Sequence, residues 1–215
     1  MFITFEGIEG CGKTTQVKQL GKILAACDIE FISTFEPGGT RIGQKIRRIL
    51  LDPKNHGLTP LAELLLYAAD RAQHVEEIIR PALKAGKWVI CDRFTDATLV
   101  YQGAARGQDM EMIRALNDKV TQGLRPDITF LVDCPEEMGL KRATARISRD
   151  SAGDQDRFER EEMAFHGKVR QAYLDLARME SKRFIVIDGT MPKEDVTGEI
   201  LRHLVPHMMQ AKGMK

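Results

Sequence analysis

No apolar run in this 215-residue chain is long enough to cross a bilayer, so a membrane span is excluded. Neither sign of charge dominates. The 32 Lys and Arg residues almost cancel 31 Asp and Glu, and the resulting field favours neither nucleic acid nor an anionic membrane as partner. Cysteine is sparse and falls in no metal-ligand or paired pattern: Cys11, Cys27, Cys91 and Cys134 read as reduced thiols, which points to a cytoplasmic protein. The chain enters a strand-like run directly, with no signal-peptide pattern before it. The five histidines (His56, His74, His166, His203, His207) have no nucleophile or metal partner at a telling spacing, so histidine catalysis is not expected. The one tryptophan, Trp88, sits in a strand-like run and reads as packing. Repeats, low-complexity linkers and domain boundaries are also missing. One domain over residues 1–215 is expected, with the tail from about 209 to 215 frayed.

Against these absences one segment stands out. Gly7-Ile8-Glu9-Gly10-Cys11-Gly12-Lys13-Thr14 follows the apolar run Phe2–Phe5 and precedes a helix-competent stretch from Thr15. It matches the phosphate-loop pattern in full, and strand, glycine loop and helix stand in the required order. Its glycines let the backbone turn tightly and aim N–H groups at phosphate oxygens, and the helix adds its positive end. Lys13 can reach the β- and γ-phosphates, and the Thr14 hydroxyl can join an Mg²⁺ shell. The segment from Gly7 to Thr15 is therefore the expected ATP site.

Five runs rich in β-branched and aromatic residues read as strands: Phe2–Glu6, Glu30–Thr34, Trp88–Asp92, Ile128–Asp133 and Phe184–Asp188. Their near-continuous apolarity fits strands buried on both faces. Helical patterns over 14–27, 41–51, 60–85, 111–122, 136–148, 160–180 and 193–208 alternate with them, so the expected fold is α/β with a five-stranded parallel sheet flanked by helices. In such sheets ligands bind beyond the carboxyl ends of the strands, here just after Glu6, Thr34, Asp92 and Asp133.

Asp92-Arg93 at the end of the third run can supply a metal-orienting carboxylate and a bidentate phosphate clamp. Arg142, Arg146 and Arg149 share one helical face, and a polar, glycine-containing stretch leads on to Arg157 and Arg160. Two readings stand for this cluster. It is a solvated face, or it is a mobile lid over about 142–160 that brings a guanidinium to the transferring phosphoryl group.

Taken together these pieces resemble the bacterial thymidylate kinase family. The resemblance is carried by the phosphate loop through Thr15, Glu36-Pro-Gly-Gly-Thr40, Leu66-Tyr-Ala-Ala-Asp-Arg-Ala-Gln-His74, Asp92-Arg-Phe94, Tyr101-Gln-Gly103 and Arg125-Pro-Asp-Ile-Thr-Phe-Leu-Val-Asp133, with the Arg-rich segment behind them. It implies a nucleoside-monophosphate-kinase fold that moves the γ-phosphoryl group of ATP to dTMP, with Mg²⁺, and a homodimer. It also implies catalytic roles for Lys13, Arg93 and the lid arginines Arg142, Arg146 and Arg149, and a metal site at Thr14 and Asp92. The dTMP site would draw on Glu9, Glu36, Arg47, Tyr67, Arg71, Arg93, Thr98, Tyr101 and Gln102. By that likeness Tyr67 stacks on the base, Arg71 bonds its O4, Tyr101 crowds a ribose 2′-OH and Arg47 reaches the acceptor phosphate. From spacing alone, Tyr67 as core, Arg71 paired with Asp70 or Glu63, and Arg47 as plain helix surface are equally open.

The sequence departs from the family where Phe35 replaces the usual Arg, Phe94 a Tyr or His, and Ala97 a Ser. Two other functions remain in view. One is a kinase for a different nucleoside monophosphate; the other is a P-loop switch that hydrolyses nucleotide without a small acceptor. Cys11, beside Lys13 at a helix N-terminus, is expected to be an exposed and reactive thiol.

Overall fold

The computed structural model describes residues 1–149 and 163–213; the side chains of 146–149 lie outside that description. Five parallel strands, β1 (Phe2–Glu6), β2 (Phe31–Phe35), β3 (Trp88–Asp92), β4 (Ile128–Asp133) and β5 (Phe184–Asp188), form one sheet in the order β2-β3-β1-β4-β5. The chain therefore winds to one side of β1 through β3 and β2, then to the other through β4 and β5. The register pairs Phe5 and Phe35 with Asp92, Glu6 with Leu131, and Asp133 with Asp188, so the polar strand ends lie level along one edge. That edge is where the sequence pattern places the chemistry.

Alternation along the strands builds a core on both faces. Phe2, Val89 and Cys91 meet Val75, Ile79 and Phe94 on one face. Ile3, Phe5 and Ile90 join a larger cluster with Val17, Leu20 and Leu24 of α1 (Lys13–Ala26). Further along the chain come α2 (Arg41–Leu51) and α3 (Pro60–His74), and α3 continues through the π-helical turn Val75–Ile79 into α4 (Arg80–Lys84). The widened turn falls just before Pro81, which has no N–H to donate into the helical ladder. The long helix expected over 60–85 is thus one rod with a bulge.

Beyond β3, α5 (Thr95–Thr98) runs into a second π-helical segment, Leu99–Ala105, which the sequence pattern does not anticipate. Next are α6 (Met110–Thr121), α7 (Glu136–Arg149), α8 (Met163–Met179) and α9 (Lys193–Ala211). The last helix continues through Ala211, and Met208 is buried in the core. No helix among the described residues is long and apolar enough to cross a membrane.

Candidate active site

The carboxyl edge of the sheet opens into a cavity of about 830 Å³. One end is the phosphate loop. Gly7, Gly10 and Gly12 all take positive φ, with Gly12 at 109° handing the chain over to α1. A Cβ on Gly10 would collide with the Gly139 carbonyl, and one on Gly139 would stand 2.5 Å from the Glu9 carbonyl. Two bare backbones thus let α7 press directly against the loop. Ile8 anchors the loop in the core, and Thr15 lines the cavity. The Lys13 ammonium curls under the loop, donating to the carbonyls of Gly7 (2.9 Å) and Ile8 (2.7 Å) and reaching Cys11 Sγ at 3.5 Å. Cys11 itself is only 2% exposed. The expectation of an exposed thiol is therefore corrected: its sulfur packs inward against the bare Cα of Gly7.

At the strand ends beside the loop, Thr14 donates its hydroxyl to Asp92 Oδ2 at 2.6 Å. The next residue, Arg93, has φ +70°, a left-handed conformation that a non-glycine residue adopts only when held there. Three bonds hold it: its own N–H to the Phe5 carbonyl at 2.9 Å, the Cys91 thiol to its carbonyl at 3.0 Å, and the following Phe94 N–H to Glu6 Oε1 at 2.8 Å. The Arg93 guanidinium donates to Glu9 Oε1 (2.9 Å) and to the Tyr173 hydroxyl (3.2 Å), and lies over the Tyr101 ring at 4.9 Å. Tyr101 in turn donates to both oxygens of Glu9.

Burial opposes the charge on Glu9, but the Arg93 and Lys13 charges and the Tyr101 hydroxyl outweigh it and hold the carboxyl down at about 2. Burial also works against the Arg93 charge, and the surrounding Tyr101, Glu9, Tyr173 and Glu6 keep the guanidinium firmly protonated, its pKa raised. The reverse holds one layer below. Burial, with Asp96 adding to it, pushes Glu6 up to about 7 against the pull of Arg93 and the bonds from Tyr173 and Phe94.

The far end of the cavity is built on α3, where Glu63, Tyr67, Arg71 and His74 recur on one face. Tyr67 lines the cavity, half-buried. Arg71 also lines it, yet it is 1% exposed and pairs with neither Asp70 nor Glu63. Its Nε donates to Glu36 Oε2 (2.8 Å), and its terminal nitrogens donate to Asn117 Oδ1 (2.8 Å) and the Phe94 carbonyl (2.9 Å). Glu36 also meets His74 Nδ1 at 2.9 Å, while His74 Nε2 shares a 2.6 Å bond with Thr34 Oγ1. Asp70 accepts the Gly38 N–H at 3.0 Å. Burial, with Glu36 nearby, pushes its carboxyl up to about 6.

Gln102 donates to Glu63 at 2.7 Å, and Arg106 to the same oxygen at 2.9 Å. The buried Thr98 hydroxyl lines the cavity with no hydrogen-bond partner. Arg47 is not plain helix surface. It lines the cavity, donates to the Pro37 carbonyl at 2.8 Å and lies over the Phe35 ring at 5.6 Å, so the residue standing in place of the family's Arg supports a neighbouring one. Phe94 is fully buried against Phe2, and Ala97 lines the cavity. Arg142 reaches the cavity rim and donates to the Gly189 carbonyl at 2.9 Å. The side chains of Arg146 and Arg149, and most of the expected lid, lie outside the described residues.

Sequence reasoning missed Glu6, His74, Asn117, His166 and Tyr173. His166 is wholly buried, its Nδ1 standing 3.4 Å from Glu9 Oε2 without a hydrogen bond. Only Glu6 carried a signal, a carboxylate closing an otherwise apolar strand.

A phosphate loop after the central strand of a 2-3-1-4-5 parallel sheet, with a second crevice across the same edge, defines a P-loop kinase fold of the nucleoside-monophosphate type. The family model described as thymidylate kinase matches residues 5–200. The chain is 57% identical over 205 residues to the thymidylate kinase of Desulfosudis oleivorans, covering 95% of this chain and 96% of that one. It is 52% identical over 212 residues to the thymidylate kinase of Geobacter sp. strain M21, covering 99% and 94%. The crystal structure of thymidylate kinase from Ehrlichia chaffeensis superposes with a TM-score of 0.76 at 35% identity, over 95% of this chain and 97% of that one. The chain belongs to the thymidylate kinase family.

Proposed function

We propose that the protein transfers the γ-phosphoryl group of ATP to dTMP, giving dTDP and ADP. One observation carries this reading. The phosphate loop and the α3 crevice line a single cavity, and Arg93, Glu9 and Tyr101 join them. A loop that served hydrolysis alone would have no use for the second crevice.

In the transfer, an oxygen of the dTMP phosphate attacks the γ-phosphorus while the bond to the β–γ bridging oxygen breaks, and ADP leaves. The attacking group is already an anion, so no strong base is needed. The loop amides and Lys13 hold the donor phosphates, with Arg142 at the rim beside Gly189. Arg93 stands where both phosphate chains would meet, and its guanidinium steadies the charge on the moving group. By the family likeness, Arg146 and Arg149 are further candidates to steady that charge.

The Thr14 hydroxyl and Asp92 carboxylate, 2.6 Å apart, are the hard oxygen donors that Mg²⁺ accepts. Among the described residues no three His, Cys, Asp or Glu side chains gather to hold a metal alone. An Mg²⁺ held there would supply charge neutralisation on the donor phosphates.

On the acceptor side, Tyr67 offers a ring face to the base. Arg71 has three of its five N–H groups engaged, and the remaining two are donors that suit O4 of thymine and refuse the amino group of cytosine. The unpartnered Thr98 hydroxyl and Gln102 flank the base, Arg47 and Glu36 border the acceptor phosphate, and Tyr101 on Glu9 crowds a ribose 2′-OH. The protein works as a homodimer in the cytoplasm. Ile42 and Ile49 on α2 and Leu61 and Leu65 on α3 expose apolar side chains suited to a partner surface.

An ADP-release assay with a panel of nucleoside monophosphates tests the assignment. dTMP should support the fastest turnover, with little release when acceptor is omitted. Release that is independent of acceptor would replace this reading with a nucleotide switch.

A further inference from the structure

Besides Glu9 of the phosphate loop, the Arg93 guanidinium is held by groups outside that motif. Its NH1 donates to the Tyr173 hydroxyl at 3.2 Å, and that hydroxyl donates in turn to Glu6 Oε2 at 2.6 Å. The other carboxylate oxygen, Glu6 Oε1, accepts the Phe94 N–H at 2.8 Å and so helps fix the left-handed turn at Arg93. One buried carboxylate thus holds the arginine from two directions, through its backbone and through its head group. Neither Glu6 nor Tyr173 lines the cavity. Tyr173 is 1% exposed and Glu6 is fully buried, so both act from beneath the site. Their neighbour Asp96 is already committed, bonded through both oxygens to Arg183, so it does not compete for Arg93.

We propose that Glu6 and Tyr173 are positioning residues for Arg93: the Glu6 carboxylate orders the Phe94 amide and the Tyr173 hydroxyl, and these set where the guanidinium stands. The proposal deepens the reading of the site given above and rests on Arg93 facing the transferring phosphoryl group. A guanidinium displaced by even ~1 Å would meet the developing charge poorly, which costs up to ~10²-fold in rate. The loop's contacts to ATP would stay in place, so KM for ATP should move little.

The test is a double-mutant cycle on kcat with Arg93→Ala, Tyr173→Phe and the two combined, each variant also checked for Tm and for KM of ATP. Tyr173→Phe should lower kcat roughly ten- to a hundredfold with KM for ATP unchanged, and should cost nothing further in the Arg93→Ala background. Equal losses in both backgrounds, or a lower Tm with kcat unchanged, would overturn the proposal and leave Tyr173 as packing. If Tyr173→Phe does not fold, Glu6→Gln, which keeps the volume but removes the charge, takes its place in the same cycle with the same criteria. An Arg93→Ala enzyme of normal turnover would instead overturn the underlying reading of Arg93, and the positioning with it. A collapsed Arg93→Ala beside a normal Tyr173→Phe overturns the positioning alone.

Discussion

The two ends of the cavity are made in different ways. The phosphate loop is nearly self-sufficient: Lys13 bonds carbonyls five and six residues back, and glycine conformations do most of the shaping. The acceptor end is assembled from strangers. Arg71 is held by Glu36, Asn117 and Phe94, which lie 35, 46 and 23 residues away, and all of it is buried. A local device can tolerate change in the rest of the fold. A dispersed one couples substrate choice to stability, because the groups that face the ligand are also ion pairs of the core.

The comparison is strained hardest at the loop. Lys13→Ala should lower turnover by ~10³-fold or more while leaving Tm close to the parent value, and by the same factor with dTMP and dUMP as acceptors. A factor that depends on the acceptor would show that the two ends are not separable. Arg71→Ala should do the opposite. Its kcat/KM for dTMP should fall ~10–100-fold with KM for ATP unchanged, and stability should drop by ~3 kcal/mol because buried Glu36 loses its guanidinium and keeps only His74. Equal losses on both substrates would break the contrast.

Gly139→Ala probes a place where the loop backbone leans on distant chain. A methyl group there meets the Glu9 carbonyl, so a stability loss of ~1–3 kcal/mol and weaker ATP binding are expected. No change in either would mean that α7 is not a support for the loop.

The smallest effect concerns Asp70, whose folded pKa of about 6 stands above its ordinary 3.8. The folded state then holds the proton more tightly. Its contribution to stability is complete below pH ~4 and is lost as pH rises through about 6. Asp70→Asn should therefore melt higher than the parent at pH 8, by an amount on the order of 1 kcal/mol, and no higher at pH 4. A gain that is the same at both pH values would assign the effect to packing.

What was legible in the sequence follows the same division. The loop is contiguous, so its pattern could be read residue by residue, and four of the five strand runs end where apolarity ends. The helical stretch from Thr95 to Ala105 escaped because it buries Asp96, Thr98 and Gln102 toward the site and core, which removes the hydrophobic period that marks a helix. The contact between Glu6 and Tyr173 joins residues 167 positions apart, and no spacing rule reaches that far. His74 and His166 looked idle because their partners, Thr34, Glu36 and Glu9, come together only through the sheet. Cys11 was misjudged because a position inside a loop was read as an exposed one.

The strand order carries a further consequence, for the chain as it is made. β1 is the most sheltered strand of the sheet, with all five residues buried, yet it is the first to leave the ribosome. Its neighbours are β3, in which Val89 pairs with Phe2, and β4, in which Ile128 pairs with Ile3. At ~5–20 residues per second, the 124 residues between Ile3 and Ile128 take ~6–25 s to synthesise. Throughout that interval a strand of Phe, Ile, Thr and Phe waits with one flank open. The nascent chain must keep its future centre from pairing with anything else, which makes early synthesis the period of greatest aggregation risk and the natural point for a chaperone to act.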